Sequence, residues 1–236
     1  MRRFAAFCAF GQIMLLAGCG KGAEAPPIEN SANPAAPAVP AEVARPAGPE
    51  RLVLAFGDSL YAGYGLDRGQ DLPHAIEGRL RKAGINATIV NAGVSGDTSA
   101  AGRQRLAFAL DNLPRKPDLV MLGLGGNDVL RQITPAETRA NMTAMMEELA
   151  KRRIPVVLTG MMAPPNLGPD YVAPFDAIWP DLAKHYHAGL YPFILDGVIG
   201  KADLMQADGH HPNMRGVAVV ADHLAPVVET ALPPAR

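Results

Sequence analysis

The stretch LVLAFGDSL, residues 52–60, gives the clearest indication of how this chain folds. Residues 52–56 are apolar without interruption, and short apolar runs rich in Leu and Val are typical of strands buried on both faces. Gly57, Asp58 and Ser59 follow directly, where a strand turns into a helix. The stretch therefore predicts an inner strand of a parallel sheet, with a serine close to its carboxyl end.

Apolar runs of the same kind recur along the chain, and helical patterns separate them. The runs lie at residues 87–90, 119–122 and 156–158. Helices are predicted at residues 72–83, 98–113, from 134 onward, 175–185 and 212–230. Strands that alternate with helices predict an α/β domain with a mostly parallel sheet. Ligands of such sheets bind outside the carboxyl ends of the strands.

The helix predicted from Thr134 has the clearest start. Thr134 is a capping residue, Pro135 suits the first helical position and Glu137 completes a capping box. Four apolar residues then recur at helical spacing and are expected to face the sheet: Met142, Met145, Met146 and Leu149. Near the other end of the chain, Pro226 is expected to limit the last helix.

Residues 1–18 are predicted to be a signal peptide. Arg2 and Arg3 precede an apolar stretch that is shorter than the roughly 20 residues of a transmembrane helix. The stretch runs into LAGC, residues 16–19, which resembles the processing site of bacterial lipoproteins. The sequence thus predicts a chain that is lipid-modified at Cys19 and anchored in the cell envelope, facing the periplasm. An ordinary secreted protein is the alternative.

The remaining chain is predicted to form a tether and one domain. Residues 19–50 are rich in Ala and Pro without an apolar period, which indicates a disordered tether. Residues 51–236 form the folded domain, expected to be a monomer. The two cysteines are Cys8 and Cys19, so no disulfide is available after processing. A net charge of −1 does not indicate a basic surface for binding nucleic acid.

Three predicted strands are each followed by a residue type found in hydrolase active sites. Ser59 is either a nucleophile or a helix cap. Gly93, in the stretch NAGVSGDT, either donates its amide N–H to a substrate or allows a turn. Asn127, in GGND, either aims its amide into a pocket or occupies a left-handed turn. Parallel strands end at one sheet edge, so we expect these residues to lie close together.

A later stretch, DGHHPN, supplies a base and a group to orient it. Asp208 and His211 are three residues apart, so one short loop can hold both. Asp208 can accept from one ring nitrogen and leave the other nitrogen to face Ser59. His210 is the rival base and is expected to point elsewhere. The alternative is that Asp208 and His211 are polar loop residues that only cap a helix.

These motifs, in this order, resemble the four blocks of the SGNH (GDSL) hydrolases. The likeness extends over residues 52–228 and is greatest to the arylesterase, thioesterase I and lysophospholipase L1 group. It implies a three-layer α/β/α flavodoxin-like fold with a central, mostly parallel five-stranded sheet. Ser59 would be the nucleophile, His211 the base and Asp208 its orienting group. The oxyanion hole would combine the Ser59 amide, the Gly93 amide and the Asn127 side chain, without metal or cofactor.

The expected function is that of a serine esterase working through an acyl-enzyme. Aryl esters, acyl thioesters and lysophospholipids are the substrates that the resemblance implies. Residues 161–175 are predicted to form an acyl-binding wall that includes Met161, Met162, Leu167 and Tyr171. Two alternatives stay open, namely acyl transfer or deacetylation on a cell-envelope glycan, and a non-catalytic binding lipoprotein.

Overall fold

The computed structural model describes residues 43–234 of the 236-residue chain. A five-stranded sheet lies at the centre of this part. Its strands are β1 (Arg51–Gly57), β2 (Ala87–Gly93), β3 (Leu119–Gly123), β4 (Val156–Thr159) and β5 (Gly189–Tyr191). All pairings are parallel, in the order β2-β1-β3-β4-β5. The α/β prediction is confirmed, and the strand order is the flavodoxin-like one.

Helices cover both faces of the sheet. They are α1 (Ser59–Ala62), α2 (Leu72–Lys82), α3 (Ser99–Asp111), α4 (Gly126–Leu130), α5 (Pro135–Lys151), α6 (Pro169–Asp176), α7 (Ile178–Tyr186) and α8 (Met214–Ala231). The chain moves across the sheet in one direction from β1 to β2 and in the opposite direction from β2 to β3. Because both crossovers are right-handed, α2 and α3 lie on opposite faces of the sheet. Helix α2 packs with α8, and α3 packs with α5, which completes three layers.

Burial follows the position of each strand in the sheet. Every residue of β1, β3 and β4 is buried, because these strands have neighbours on both sides and helices on both faces. Strand β2 lies at the edge, and most of its residues are only partly buried. The runs at β1, β3 and β4 therefore correspond to inner strands, as predicted, whereas the run at residues 87–90 corresponds to an edge strand.

The predicted start of α5 is present. The Thr134 hydroxyl accepts a hydrogen bond from the Glu137 amide at 3.2 Å, and Pro135 occupies the first helical position. Met142, Met145, Met146 and Leu149 are all buried, which confirms the predicted core face. The last helix, predicted at residues 212–230, is α8 (Met214–Ala231), and Pro226 lies inside it five residues before its end.

The region after β4 also differs from the sequence prediction. The single helix expected at residues 175–185 is divided into α6 and α7, and Ala177 lies between them. Strand β5 is three residues long, Gly-Leu-Tyr, and two of the three are only partly buried. It therefore lacks an apolar run that could have located it.

The predicted signal peptide and Cys19 lie outside the described residues. The tether predicted at residues 19–50 lies partly outside them. Its last part, residues 43–50, lies against the domain. The Gly48 carbonyl accepts from Asn86 Nδ2 at 2.9 Å, and the Glu50 carboxylate accepts from the Thr88 hydroxyl at 2.6 Å. Residues of the predicted tether thus make hydrogen bonds with the domain. Among the described helices, none has the length and apolar character needed to cross a membrane.

Candidate active site

Ser59, His211 and Asp208 form a hydrogen-bonded chain at the carboxyl edge of the sheet. Ser59 begins α1 directly after β1, while Asp208 and His211 lie in the loop that leads into α8. The Ser59 Oγ lies 2.9 Å from His211 Nε2. The His211 Nδ1 lies 2.7 Å from Asp208 Oδ2. The structure thus brings together three residues that are up to 152 positions apart in sequence.

Asp208 is held as a charged acceptor. Its Oδ1 accepts from the backbone amides of His210 and His211, at 2.9 and 3.1 Å. These bonds, together with the His211 ring, lower the pKa of the Asp208 carboxyl to about 2. Because a carboxylate only accepts, His211 Nδ1 carries the proton in this pair. Nε2 is then free to accept from the Ser59 hydroxyl.

The loop that carries His211 is attached to the loop after α1. Gln206 Nε2 donates to the Tyr64 carbonyl at 2.7 Å and to the Pro212 carbonyl at 3.1 Å. The Gln206 amide donates to the His211 carbonyl at 2.8 Å. The Tyr64 ring lies 4.6 Å from the His211 ring, centroid to centroid. The sequence indicated no role for Gln206 or for the Tyr64 ring, because their contacts join segments that are far apart in the chain.

His210 does not compete for the serine. Its amide donates to Asp208, but among the described residues its ring has no hydrogen-bond partner. His210 nevertheless lines the same cavity as Ser59. His211, not His210, contacts the Ser59 hydroxyl, but His210 does not lie away from the site as expected.

Asn127 lies in α4, one turn after β3, and lines the same cavity as Ser59. One hydrogen of its Nδ2 is donated to the Asp97 carbonyl at 2.9 Å. A primary amide has two such hydrogens. The second is therefore available for a ligand, while the first fixes the orientation of the side chain.

The expectation for Gly93 is wrong. Its amide N–H donates to Asn91 Oδ1 at 2.9 Å and is not available to a substrate. Gly93 also does not line the Ser59 cavity. A Cβ at this position would lie 2.3 Å from the Ala62 amide nitrogen. The glycine is required because α1 packs directly on the end of β2.

Gly96 occupies the place that Gly93 was expected to take. It lines the cavity with Ser59 and Asn127, and its φ of +87° is one that side chains other than glycine rarely adopt. Within residues 43–234, the amides of Gly96 and Ser59 donate to no acceptor. Gly93 is the last residue of β2 and Gly96 follows it by only three residues, so the sequence did not separate them.

The cavity beside Ser59 has a volume of about 530 Å³, and its lining is mainly apolar. The apolar side chains come from α4 and from the segments after β4 and β5: Leu130, Met161, Met162, Pro164, Phe193, Leu195 and Ile199. Met161 and Met162 were expected here. Leu167 and Tyr171 were also expected but do not line the cavity, and the Tyr171 hydroxyl donates instead to the Ile133 carbonyl at 2.7 Å. The predicted wall is therefore only partly correct.

Asp58, the residue before the nucleophile, carries a buried carboxyl. It caps α1 by accepting from the Leu60 amide at 3.0 Å. Burial raises the pKa of the Asp58 carboxyl to about 6, because the charged form loses its hydration. Among the described residues, no group of three or more His, Cys, Asp or Glu side chains is placed to hold a metal ion.

The fold and the site together define a class of protein. A serine bonded to a histidine, itself bonded to a carboxylate, lies beside free amide donors and an apolar cavity. This arrangement is the machinery of a serine hydrolase that transfers acyl groups. Here it is built on a flavodoxin-like sheet.

Comparison with known proteins identifies the family. Residues 55–219 match the model of the GDSL-like lipase/acylhydrolase family, and this chain belongs to that family. The esterase TesA of Pseudomonas aeruginosa is 37% identical over 76% of this chain and 89% of its own. The thioesterase 1/protease 1/lysophospholipase L1 of Escherichia coli K12 is 34% identical over 73% of this chain and 81% of its own. The crystal structure of AlinE4, an SGNH-hydrolase family esterase, superposes with a TM-score of 0.67 at 53% identity, covering 79% of this chain and 99% of AlinE4.

Proposed function

We propose that this protein is a serine esterase that cleaves carboxylic esters and thioesters through an acyl-enzyme. The observation that carries the proposal is the chain Ser59–His211–Asp208, with bonds of 2.9 and 2.7 Å at the mouth of an apolar cavity. A serine hydroxyl is a poor nucleophile until a base removes its proton, and His211 Nε2 lies within reach of that proton.

Acylation follows from this geometry. As Ser59 Oγ attacks the ester carbonyl, its proton moves to His211 Nε2, and the Asp208 carboxylate stabilises the resulting imidazolium. The tetrahedral intermediate then collapses. His211 returns the proton to the departing alcohol or thiol, and the acyl group stays on Ser59. Water attacks this acyl-enzyme in the second half, again with His211 as the base.

Three donors are available for the negative oxygen of the intermediate. They are the amides of Ser59 and Gly96 and the free hydrogen of Asn127 Nδ2. All three are held before the reaction by the surrounding backbone, so they need no reorganisation as charge develops. We thus place Gly96, rather than Gly93, in the oxyanion hole.

The side chains at the rim of the cavity support the proposal that the substrates are esters with an apolar acyl chain. Seven large apolar side chains are exposed among the described residues, and four of them line this cavity: Tyr64, Leu130, Met162 and Ile199. Exposed apolar surface of this kind marks a place where an apolar ligand docks. The names of the relatives, which include a thioesterase and a lysophospholipase, point in the same direction. Medium acyl chains are therefore the proposed preference.

Active-site labelling tests the proposal. Wild-type protein should react with a fluorophosphonate probe and hydrolyse a nitrophenyl ester, and Ser59→Ala should lose both. Thr88→Val, which removes a hydroxyl at the edge strand, is the matched control and should retain both. A folded wild-type protein that is not labelled would contradict the proposal and favour a binding protein.

Substrate preference needs a separate measurement. Nitrophenyl esters of increasing chain length should show the largest kcat/KM for medium chains, and a sharp maximum at acetate would contradict the apolar-chain proposal. Adding a glycan acceptor separates hydrolysis from acyl transfer. Hydrolysis releases free acid at an unchanged rate, whereas an acylated sugar as the main product would favour the transferase alternative.

We also infer that the mature chain is lipid-anchored at Cys19 and faces the periplasm. The support is the LAGC stretch at residues 16–19, after a short apolar run. Palmitate labelling of the full-length chain in a bacterial host tests this. Label is expected on wild type and on the control Cys8→Ala but not on Cys19→Ala. Label retained by Cys19→Ala would contradict the inference.

A further inference from the structure

Arg105, on α3, contacts three separate segments of the chain. Its Nε donates to Asp97 Oδ2 at 2.6 Å. Its Nη1 donates to the Ala92 carbonyl at 2.8 Å, and its Nη2 donates to the Gly57 carbonyl at 2.9 Å. The guanidinium also stacks on the Phe56 ring at 3.9 Å from the centroid. Every nitrogen of the guanidinium is therefore engaged, and its plane is fixed.

These three acceptors meet at the carboxyl edge of the sheet. Gly57 ends β1 and lies two residues before Ser59. Ala92 is the residue of β2 directly before Gly93, which ends the strand. Asp97 directly follows Gly96, the proposed oxyanion donor. One rigid side chain thus connects the segment that carries the nucleophile to the loop that carries an oxyanion donor.

Asp97 extends this connection to Asn127. Its side chain accepts from Arg105, and its backbone carbonyl accepts from Asn127 Nδ2 at 2.9 Å. The bond that leaves one hydrogen of Asn127 free therefore depends on the position of Asp97. A shift of Asp97 would move both the Gly96 amide and the Asn127 amide relative to Ser59.

We propose that Arg105 is a positioning residue that sets the distance between the nucleophile and the oxyanion donors. It does not touch the substrate, and it acts through Asp97 on Gly96 and Asn127. The inference rests on the proposed esterase function. It deepens that function by naming the side chain that holds the oxyanion hole in register with Ser59.

Arginine suits this position because of its shape. The guanidinium is a planar fork with five donors, so it binds a carboxylate and two carbonyls in different directions at once. A lysine ammonium is a compact charge on a flexible stem. It can retain the ion pair with Asp97 but cannot hold both carbonyls in the same plane.

The first test compares Arg105→Met and Arg105→Lys with wild type in ester hydrolysis. Donors that act mainly in the transition state change kcat more than KM, so Arg105→Met should lower kcat about 10–100-fold, with KM within about threefold. Arg105→Lys should lie between the two. An Arg105→Met variant with wild-type kcat would overturn the inference.

Arg79→Met is the matched control. Arg79 also pairs with a carboxylate, Asp222, at 2.9 Å, and donates to the Ala218 carbonyl at 3.2 Å. Its side chain is 30% exposed, against 24% for Arg105, but it lies on α2 in the other helical layer. We expect wild-type kcat from Arg79→Met. If Arg79→Met lost as much kcat as Arg105→Met at the same fall in melting temperature, the effect would be one of general stability. That result would overturn the inference.

A double-mutant cycle with Asn127→Ala isolates the route of the effect. If Arg105 acts through the oxyanion donors, Arg105→Met should cost several-fold less kcat in the Asn127→Ala background than in wild type. Fully additive losses would overturn the inference. Failure of the proposed function is distinguishable, because it would appear as wild-type protein without Ser59-dependent turnover.

Discussion

At the scale of single residues, the site depends on which hydrogens remain free. Asp208 uses one oxygen for two backbone amides and the other for the His211 ring. Asn127 donates one of its two amide hydrogens to the Asp97 carbonyl. The Gly96 and Ser59 amides have no acceptor among the described residues. Catalytic capacity therefore follows from a small set of unused donors beside a polarised serine.

Asp208→Asn should reduce turnover strongly. An amide in place of the carboxylate can present a hydrogen to His211 Nδ1 and favour the wrong tautomer, so kcat should fall about 10²–10⁴-fold. Steady-state kinetics check this. Asp203→Asn, which removes an exposed partner of Arg215 in the same loop, should leave kcat unchanged. An Asp208→Asn enzyme within tenfold of wild type would contradict the orienting role.

Asn127→Ala should lower kcat by about 10²–10³, as found when one oxyanion donor is removed. The loss should appear in kcat, because the donor serves the tetrahedral intermediate more than the bound ester. Circular dichroism and thermal melting establish that the variant is folded. A folded variant with wild-type turnover would refute the role of Asn127.

Asp58 should make stability depend on pH. Its pKa is raised from 3.8 in the unfolded chain to about 6 in the folded protein. Between these values the folded protein holds a proton that the unfolded chain has released, so the free energy of unfolding falls as pH rises. Asp58→Asn keeps the Oδ1 acceptor and lacks this titration. From pH 4 to pH 7.5 its stability relative to wild type should rise by up to about 3 kcal/mol.

Urea unfolding of both proteins across this pH range measures the difference. Asp203→Asn serves as the control, since that carboxylate is exposed. Its stability relative to wild type should change little over the same range. A constant difference between Asp58→Asn and wild type would mean that burial does not raise the Asp58 pKa.

At the scale of elements, a buried polar cluster joins α3, α4 and α5. Asp128, which follows Asn127, is completely buried and accepts from the amide and hydroxyl of Ser99 and from the Thr138 hydroxyl. Asn141 Nδ2 donates to the Ser99 hydroxyl at 3.2 Å. The starts of α3 and α4 are thereby fixed to each other close to Asn127.

Asp128→Ala should therefore be strongly destabilising. It leaves two hydroxyls and one amide buried without their acceptor, at about 1–3 kcal/mol for each group. Thr138→Val removes only one of these bonds and should cost about 1 kcal/mol. Chemical denaturation of the two variants checks the ranking. Equal stability of Asp128→Ala and wild type would mean that the cluster does not hold the helices together.

At the scale of the whole molecule, strand order decides where the site forms. The chain adds β2 on one side of β1 and β3 on the other, so the loops after these strands diverge at the edge of the sheet. In open α/β sheets, ligands bind in such a crevice. Ser59 follows β1, Gly96 follows β2 and Asn127 follows β3, which places all three at this point.

The ordered domain should extend to residue 43 and not begin at residue 51. A chain starting at 51 lacks the bonds of Gly48 and Glu50 to Asn86 and Thr88, as well as the bond from Arg81 to the Val43 carbonyl. Each hydrogen bond contributes about 0.5–1.5 kcal/mol, so this chain should be less stable than one starting at 43. Thermal melting of the two chains measures the difference. Identical melting curves would contradict this boundary.

Local signals in the sequence determined much of the fold. Apolar runs marked the four longer strands, and the capping residues Thr134 and Glu137 marked the start of α5, because these patterns depend on neighbours along the chain. The order of the motifs also indicated the family and which residues would meet at the sheet edge. The sequence did not predict strand β5 or the break between α6 and α7 at Ala177. A three-residue strand and a single-residue interruption leave no periodic signal.

Tertiary structure alone decided which groups are free and where side chains point. Gly93 and Gly96 look equivalent in the sequence, but Asn91 occupies the amide of the first and no described acceptor occupies that of the second. Tyr171 was expected in the acyl wall, yet its hydroxyl binds Ile133 away from the cavity. Arg105 stands outside every motif, and its role depends on three acceptors from separate segments. Hydrogen bonds between distant segments are set by packing, and the sequence does not display them.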